Sequence, residues 1–174
     1  VLDGADAVML SEETATGVDP AQAVRAMSSL SLHAEAHEHA APRNRSADEQ
    51  TSFSAGVAIS AVSSAEHIRA RAIVTLAGSG YTALHMSKRR PRVPIIALGS
   101  YEPTLRRLAV LHGVTPISIE KRGDFEAQLQ TADSYLLSKG LAAVGDTVVV
   151  AAAIPLGQHK EPNTIRFHRV RKPI

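Results

Sequence analysis

Apolar positions along most of the chain follow two alternating periods. Phe53, Val57, Ala61, Val62, Ala65 and Ile68 recur every three or four residues and predict an amphipathic helix over about 51–69. Short apolar runs rich in Val, Ile and Leu then predict strands at 72–76, 93–98, 114–119, 147–153 and 164–170. Helical spacing fills the gaps at 81–88, 102–111 and 125–139, the last closed by Gly140 as a left-handed cap. This alternation predicts an α/β fold, a three-layer αβα sandwich on a five-stranded, mostly parallel sheet. No helix separates the last two strands, so one of them is expected to run antiparallel at an edge.

The first forty residues carry a pattern of their own. Ala5 to Leu10 has the size of a buried strand, and Ser11 to Gly17 reads as a polar turn with adjacent carboxylates. Asp19 is placed as N-cap and Pro20 as the first residue of a helix reaching His39, with Val24, Met27, Leu30 and Ala34 as its apolar stripe. Strand, turn and helix make one βα unit, and in parallel α/β proteins the loop after a strand is where chemistry is placed. The helix ends on His33, Glu35, His37, Glu38 and His39. Its i, i+4 histidines suit a metal, but without a third ligand a solvated helix end near the negative dipole terminus is favoured. Polar, unpatterned sequence follows, so residues 1–41 are expected to be one unit, 42–50 a linker and 51–174 a second domain.

Composition narrows the functional classes. Aromatics are 3% with no Trp, so the core must be built from Ala, Val, Leu and Ile. A formal net charge of +2 gives no case for a nucleic-acid or membrane partner, and the absence of Cys excludes disulfides and fits a reducing cytoplasmic setting. No run is long enough to span a membrane. The chain opens on Val1, partway into a motif, and is expected to be a piece of something longer.

Gly78-Ser79-Gly80-Tyr81-Thr82 sits between a predicted strand and a predicted helix. Two glycines there let the backbone turn and approach a ligand, while amide groups and the positive helix end converge beside the Ser79 and Thr82 hydroxyls. That arrangement suits phosphate, although a tight turn would use the same residues. The loop from Leu156 to Pro162, with Gly157, His159 and Lys160, and Asn163 just after it, either folds over that turn or is an exposed tip. Lys88, Arg89, Arg90 and Arg92 lack interleaved aromatics and read as a solvated helix end, as do Arg106 and Arg107 on the next helix.

The stretch Asp3-Gly4-Ala5-Asp6-Ala7-Val8-Met9-Leu10-Ser11-Glu12-Glu13-Thr14-Ala15-Thr16-Gly17-Val18-Asp19-Pro20 resembles the last barrel strand and loop of pyruvate kinase. The likeness continues through Gly78 to Ala83, Arg90 to Ala97, and Gly157 to Ile165. It implies one βα unit of a (β/α)8 barrel followed by the complete carboxyl-terminal domain, with a role in effector binding and self-association, as in the family's tetramers. The activity implied for a full-length parent is glycolytic phosphoryl transfer from phosphoenolpyruvate to ADP with Mg²⁺ and a monovalent cation, K⁺. No metal or cofactor is expected in this chain, and alone it is expected to be inactive.

By the same resemblance Ser11, Glu13 and Thr14 would be supporting residues at the barrel rim. Gly78, Ser79, Gly80, Tyr81 and Thr82 would hold an effector's phosphate, with Gly157, His159, Lys160 and Asn163 in the companion loop. Three departures stand out. Glu12 replaces a usual Gly and would be strained if the turn needs positive φ. Ala77 stands where regulated members have Thr, and Tyr81 where they often have a base, so the effector site is expected to be altered or lost. The alternatives are a stand-alone module that binds a phosphorylated metabolite and a purely structural assembly domain.

Overall fold

The structure, a computed structural model, describes residues 1–38, 52–120, 124–156 and 161–172. The chain divides into two compact units, Val1–Arg45 and Ser46–Ile174. The linker expected at 42–50, His39, and the loop residues Gly157, His159 and Lys160 lie outside the described residues.

In the first unit a short helix α1 (Glu12–Ala15) precedes a long helix α2 (Pro20–Glu38). Asp19 caps α2 as expected, its Oδ1 accepting the Gln22 amide at 2.8 Å. Two expectations are corrected. The polar turn after Leu10 coils into α1, with Glu12 as its first residue and not at positive φ, so replacing Gly there stores no backbone strain. Ala5 to Leu10 forms no strand. A strand exists only by exchanging hydrogen bonds with a neighbour, and none pairs with this run among the described residues. Val8, Met9, Val24 and Leu30 stay exposed.

The second unit opens with α3 (Phe53–His67), whose first turn is capped by Ser52 Oγ accepting the Ala55 amide at 3.1 Å. Then follow β1 (Ile73–Leu76), α4 (Tyr81–Lys88), β2 (Ile95–Gly99), α5 (Glu102–Leu108), β3 (Val114–Ser118), α6 (Phe125–Ser138), β4 (Thr147–Ala152) and β5 (Thr164–Arg169). The five-stranded sheet has the order β3-β2-β1-β4-β5. β1 pairs parallel with β2 and β4, and β2 with β3, whereas β5 runs antiparallel to β4 at the edge. Gly140, at φ 65°, ends the turn after α6 in the left-handed region.

Strand period two sorts the core into two layers. Ile73, Ile95, Ala97, Val149 and Ala151 pack under Ala58, Ala61, Val62 and Ala65 of α3, Ala83 and Met86 of α4 and Leu108 of α5. Val74, Ile96, Leu98, Val148 and Val150 face Leu129, Ala132 and Leu136 of α6. Helices therefore cover both faces of the sheet. The alanine-rich face of α3 lets its backbone approach the strands closely, which compensates for the missing aromatics.

Strand order reverses at β1: the chain moves outward through β2 and β3, crosses back, and places β4 on the other side of β1. In open α/β sheets such a reversal leaves a crevice beyond the strands' carboxyl ends. The turn after β1 and the start of the β4–β5 connection flank it.

Candidate functional site

The turn at the end of β1 is anchored by the Ala77 amide, which donates to the Leu98 carbonyl on β2 at 2.7 Å. Gly78 and Ser79 are exposed, and a side chain at Gly78 would meet nothing within 4 Å, so the backbone here is open to solvent. Gly80 is different. It caps α4 at φ 86°, and a Cβ there would lie 3.2 Å from Leu108 Cδ2 and Thr104 Cγ2. Only glycine takes this conformation at this approach without strain.

A glycine cap brings no side-chain acceptor, and α4 has no side-chain cap. The Ser79 hydroxyl reaches the Tyr81 amide only at 3.5 Å, the outer limit of a hydrogen bond. First-turn amides of α4 are thus left for an outside acceptor, with the positive end of the helix dipole behind them. Tyr81 is exposed, while Thr82 is buried and turned into the fold.

The structure adds two residues that the linear sequence hid. Thr104, buried on α5, points its hydroxyl at the Gly78 carbonyl, 3.5 Å away. Arg107, one turn on, donates from Nη2 to the Ser79 carbonyl at 3.3 Å and approaches Thr104 Oγ1 at 3.5 Å. A guanidinium therefore stands over the turn, supplied by the neighbouring βα unit, where Tyr81 supplies none. Both Arg106 and Arg107 are exposed, as a solvated helix face predicts; Arg106 pairs with Glu102 at 3.1 Å, and Arg107 in addition reaches the turn.

On the other side of the crevice Asn163 is occupied structurally. Its side chain accepts the Ile154 amide at 2.8 Å and donates to the Ile154 carbonyl at 2.6 Å, closing the β4–β5 connection at its neck.

The remaining candidates sort by their partners. Ser11, Glu13 and Thr14 are engaged with one another: the Ser11 amide donates to Glu13 Oε2 at 2.9 Å, and Thr14 Oγ1 donates to the Ser11 carbonyl at 3.1 Å. Hydrogen bonds from the Glu13 and Ser11 amides hold the Glu13 carboxyl below the usual glutamate range. His33 Nδ1 lies 2.7 Å from the Ser29 carbonyl, one turn back on α2. Among the described residues no three His, Cys, Asp or Glu side chains converge as metal ligands.

The basic run after α4 is not uniformly solvated. Lys88 is exposed, but Arg90 is 5% exposed in a left-handed turn at φ 48°, its amide donating to the Ser87 carbonyl at 2.9 Å. That turn folds the chain back toward β2 and carries the side chain inside.

Comparison with known proteins follows the same outline. Residues 55–168 match the family model described as pyruvate kinase, alpha/beta domain. The whole chain aligns with the pyruvate kinase of Staphylococcus epidermidis at 34% identity over 176 residues, and with that of Staphylococcus aureus at the same identity. It spans 30% of the length of each of these relatives. A crystal structure of a pyruvate kinase from Cryptosporidium parvum superposes with a TM-score of 0.81 at 28% identity, covering 97% of this chain and 34% of that one.

Proposed function

The chain belongs to the pyruvate kinase family and corresponds to its carboxyl-terminal region, and from that premise we propose that it is the regulatory and assembly part of an enzyme that transfers a phosphoryl group from phosphoenolpyruvate to ADP. Its own work is to bind a phosphorylated effector at the Gly78–Thr82 turn and to associate with other subunits.

One observation carries this reading. At the point where strand order reverses, a helix begins with no side-chain cap, behind an open glycine turn that a guanidinium overhangs. A phosphate placed there accepts amide hydrogen bonds along the helix dipole and pairs with Arg107. Charge-assisted bonds of this kind contribute about 1.5–3 kcal/mol each when shielded, and less at an exposed rim. Arg107 offsets the cation missing at Tyr81. The burial of Thr82 leaves Ser79 as the hydroxyl at the mouth.

The Mg²⁺ and K⁺ of the family's reaction belong, in this reading, to the part of a full-length enzyme outside this chain. Ser11, Glu13 and Thr14 support a barrel rim from their self-bonded cap. The setting is the cytoplasm; among the described residues no helix is long and apolar enough to cross a membrane. Self-association is supported by the edge position of β5 and its exposed Phe167.

Calorimetric titration with sugar phosphates and with nucleoside monophosphates tests the site. Saturable heat at or below millimolar ligand is expected for one of the two classes. No heat from either retires the effector role and leaves a structural assembly domain, the reading favoured by the Arg107–Ser79 contact closing the turn by itself.

A further inference from the structure

Strand β5 is an edge strand whose two faces carry little hydrophobic information. Ile165 packs toward the α3 side, followed on that face by the exposed Phe167. On the α6 side stand Arg166 and His168, with Val170 just beyond the strand's end. Register in a half-buried strand is normally set by its apolar alternation, and a strand without one is prone to slip. A shift of two residues would keep each side chain of β5 on its present face, so apolar content alone discriminates poorly against it. Yet β5 pairs with β4 in one register, Thr147 opposite Arg169 through Ala152 opposite Thr164.

A buried polar contact coincides with that register. Asp133 sits in the middle of α6 with its side chain 3% exposed, and the His168 side chain is 2% exposed. His168 Nε2 lies 3.0 Å from both carboxylate oxygens, and the Arg171 amide donates to Oδ2 at 3.1 Å. Glu126, two turns earlier on the same face of α6, pairs with Arg166 and Arg171. On β4 the residue opposite His168 is Val148, which offers no competing polar group. A two-residue slip that brings Val170 opposite Val148 would take the imidazole and the Arg171 amide from Asp133 together, and would set a valine and Pro173, which has no N–H, in their places. That would leave a carboxylate inside the core without donors, one of the costliest defects a fold can carry.

We propose that the Asp133–His168 pair is a register pin, a buried polar contact that holds edge strand β5 against slipping to the alignment in which Val170 faces Val148. Alignment matters to the site because Asn163, which closes the neck at Ile154, immediately precedes β5. Slip of the strand would pull Asn163 out of that neck. The proposal does not depend on what the Gly78 turn binds.

Disulfide trapping in the full chain, which has no Cys of its own, reads the register directly. Thr147→Cys with Arg169→Cys traps the native alignment, and Thr147→Cys with Arg171→Cys traps the two-residue slip that sets Val170 opposite Val148. Intact-mass analysis after mild oxidation gives the ratio of the two. The parent background should cross-link the first pair and not the second. In Asp133→Leu/His168→Leu, which refills the site with apolar groups, and in the isosteric Asp133→Asn, the slipped trap should rise at least about tenfold relative to the native one. That threshold matches about 1.4 kcal/mol of lost discrimination. A parent-like ratio in either folded variant overturns the proposal. Loss of the sheet's circular dichroism in both variants also overturns it, since the pair would then serve stability and not alignment.

Discussion

Arg107 Nη2 donates to the Ser79 carbonyl at 3.3 Å, a contact between residues 28 apart that exists because β1 and β2 lie side by side. The guanidinium is exposed, so it can exchange this carbonyl for an anion without dismantling the core. Arg107→Met keeps the aliphatic stem and removes the charge. It is expected to weaken binding of a phosphorylated ligand about tenfold, toward the lower end for a charge-assisted bond because salt screens an exposed site. Calorimetry and a thermal melt on the same sample check it, with the melt shifting little.

Gly80 and Gly78 separate the folding role of the turn from its binding role. Gly80→Ala places a Cβ 3.2 Å from Leu108 Cδ2 and Thr104 Cγ2 at φ 86°, and should destabilise the domain by about 1–3 kcal/mol. Gly78→Ala meets nothing within 4 Å and should cost under about 1 kcal/mol, while obstructing the mouth for a ligand. Urea denaturation of both variants, paired with ligand titration of Gly78→Ala, distinguishes the two.

Acid should loosen the outer tie of β5. The hydrogen bond from Arg166 holds the Glu126 carboxyl below the ordinary glutamate value of 4.5, against the opposing effect of burial, with the charges of Arg166, Arg171 and His168 adding attraction. A carboxyl lowered in the folded state contributes stability above its unfolded value and loses it as pH falls through its folded value. Folding should therefore weaken on acidification below about pH 4.5, and Glu126→Gln should flatten that part of the profile. Thermal melts across pH 3 to 6, on the order of the glutamate range, provide the measurement.

Much of the sheet was legible because its signals are local. Ile73 and Val74 point to opposite core layers as period two requires, Asp19 caps the helix it precedes, and Gly140 ends the one it follows. What stayed hidden depends on pairing at a distance. Ala5 to Leu10 has the composition of a strand, but composition does not supply a neighbour to bond with. Arg107 looked like any solvated helix cation until β2 was laid beside β1. His168 and Asp133, 35 residues apart, carry no sign in sequence that they will meet. Arg90 sat within a run of charge in which Lys88 and Arg92 are exposed and Arg89 is half-buried, and its left-handed turn carries it inside.

The 174-residue polypeptide by itself should show no phosphoryl transfer from phosphoenolpyruvate to ADP. Such transfer depends on a metal bridging the phosphates and on cations clamped around an in-line displacement, with every group positioned before the reaction begins. Glu13 and Thr14 spend side-chain hydrogen bonds on the Ser11 backbone, and among the described residues Ala5 to Leu10 has no strand neighbour that would fix a barrel rim. One βα unit cannot close an eight-stranded barrel, so these side chains have no opposing wall against which to hold a substrate. The Gly78 turn, proposed above to hold a phosphate, is lined among the described residues by backbone amides, hydroxyls and Arg107, with no carboxylate or imidazole beside it to activate an attacking oxygen. A coupled assay following pyruvate formation, with Mg²⁺ and K⁺ supplied, should stay at the enzyme-free rate. Turnover that scales with concentration of the purified chain and survives removal of contaminating kinase by a second affinity step would sink this reading. It would place catalysis in a chain for which only binding and assembly are proposed above.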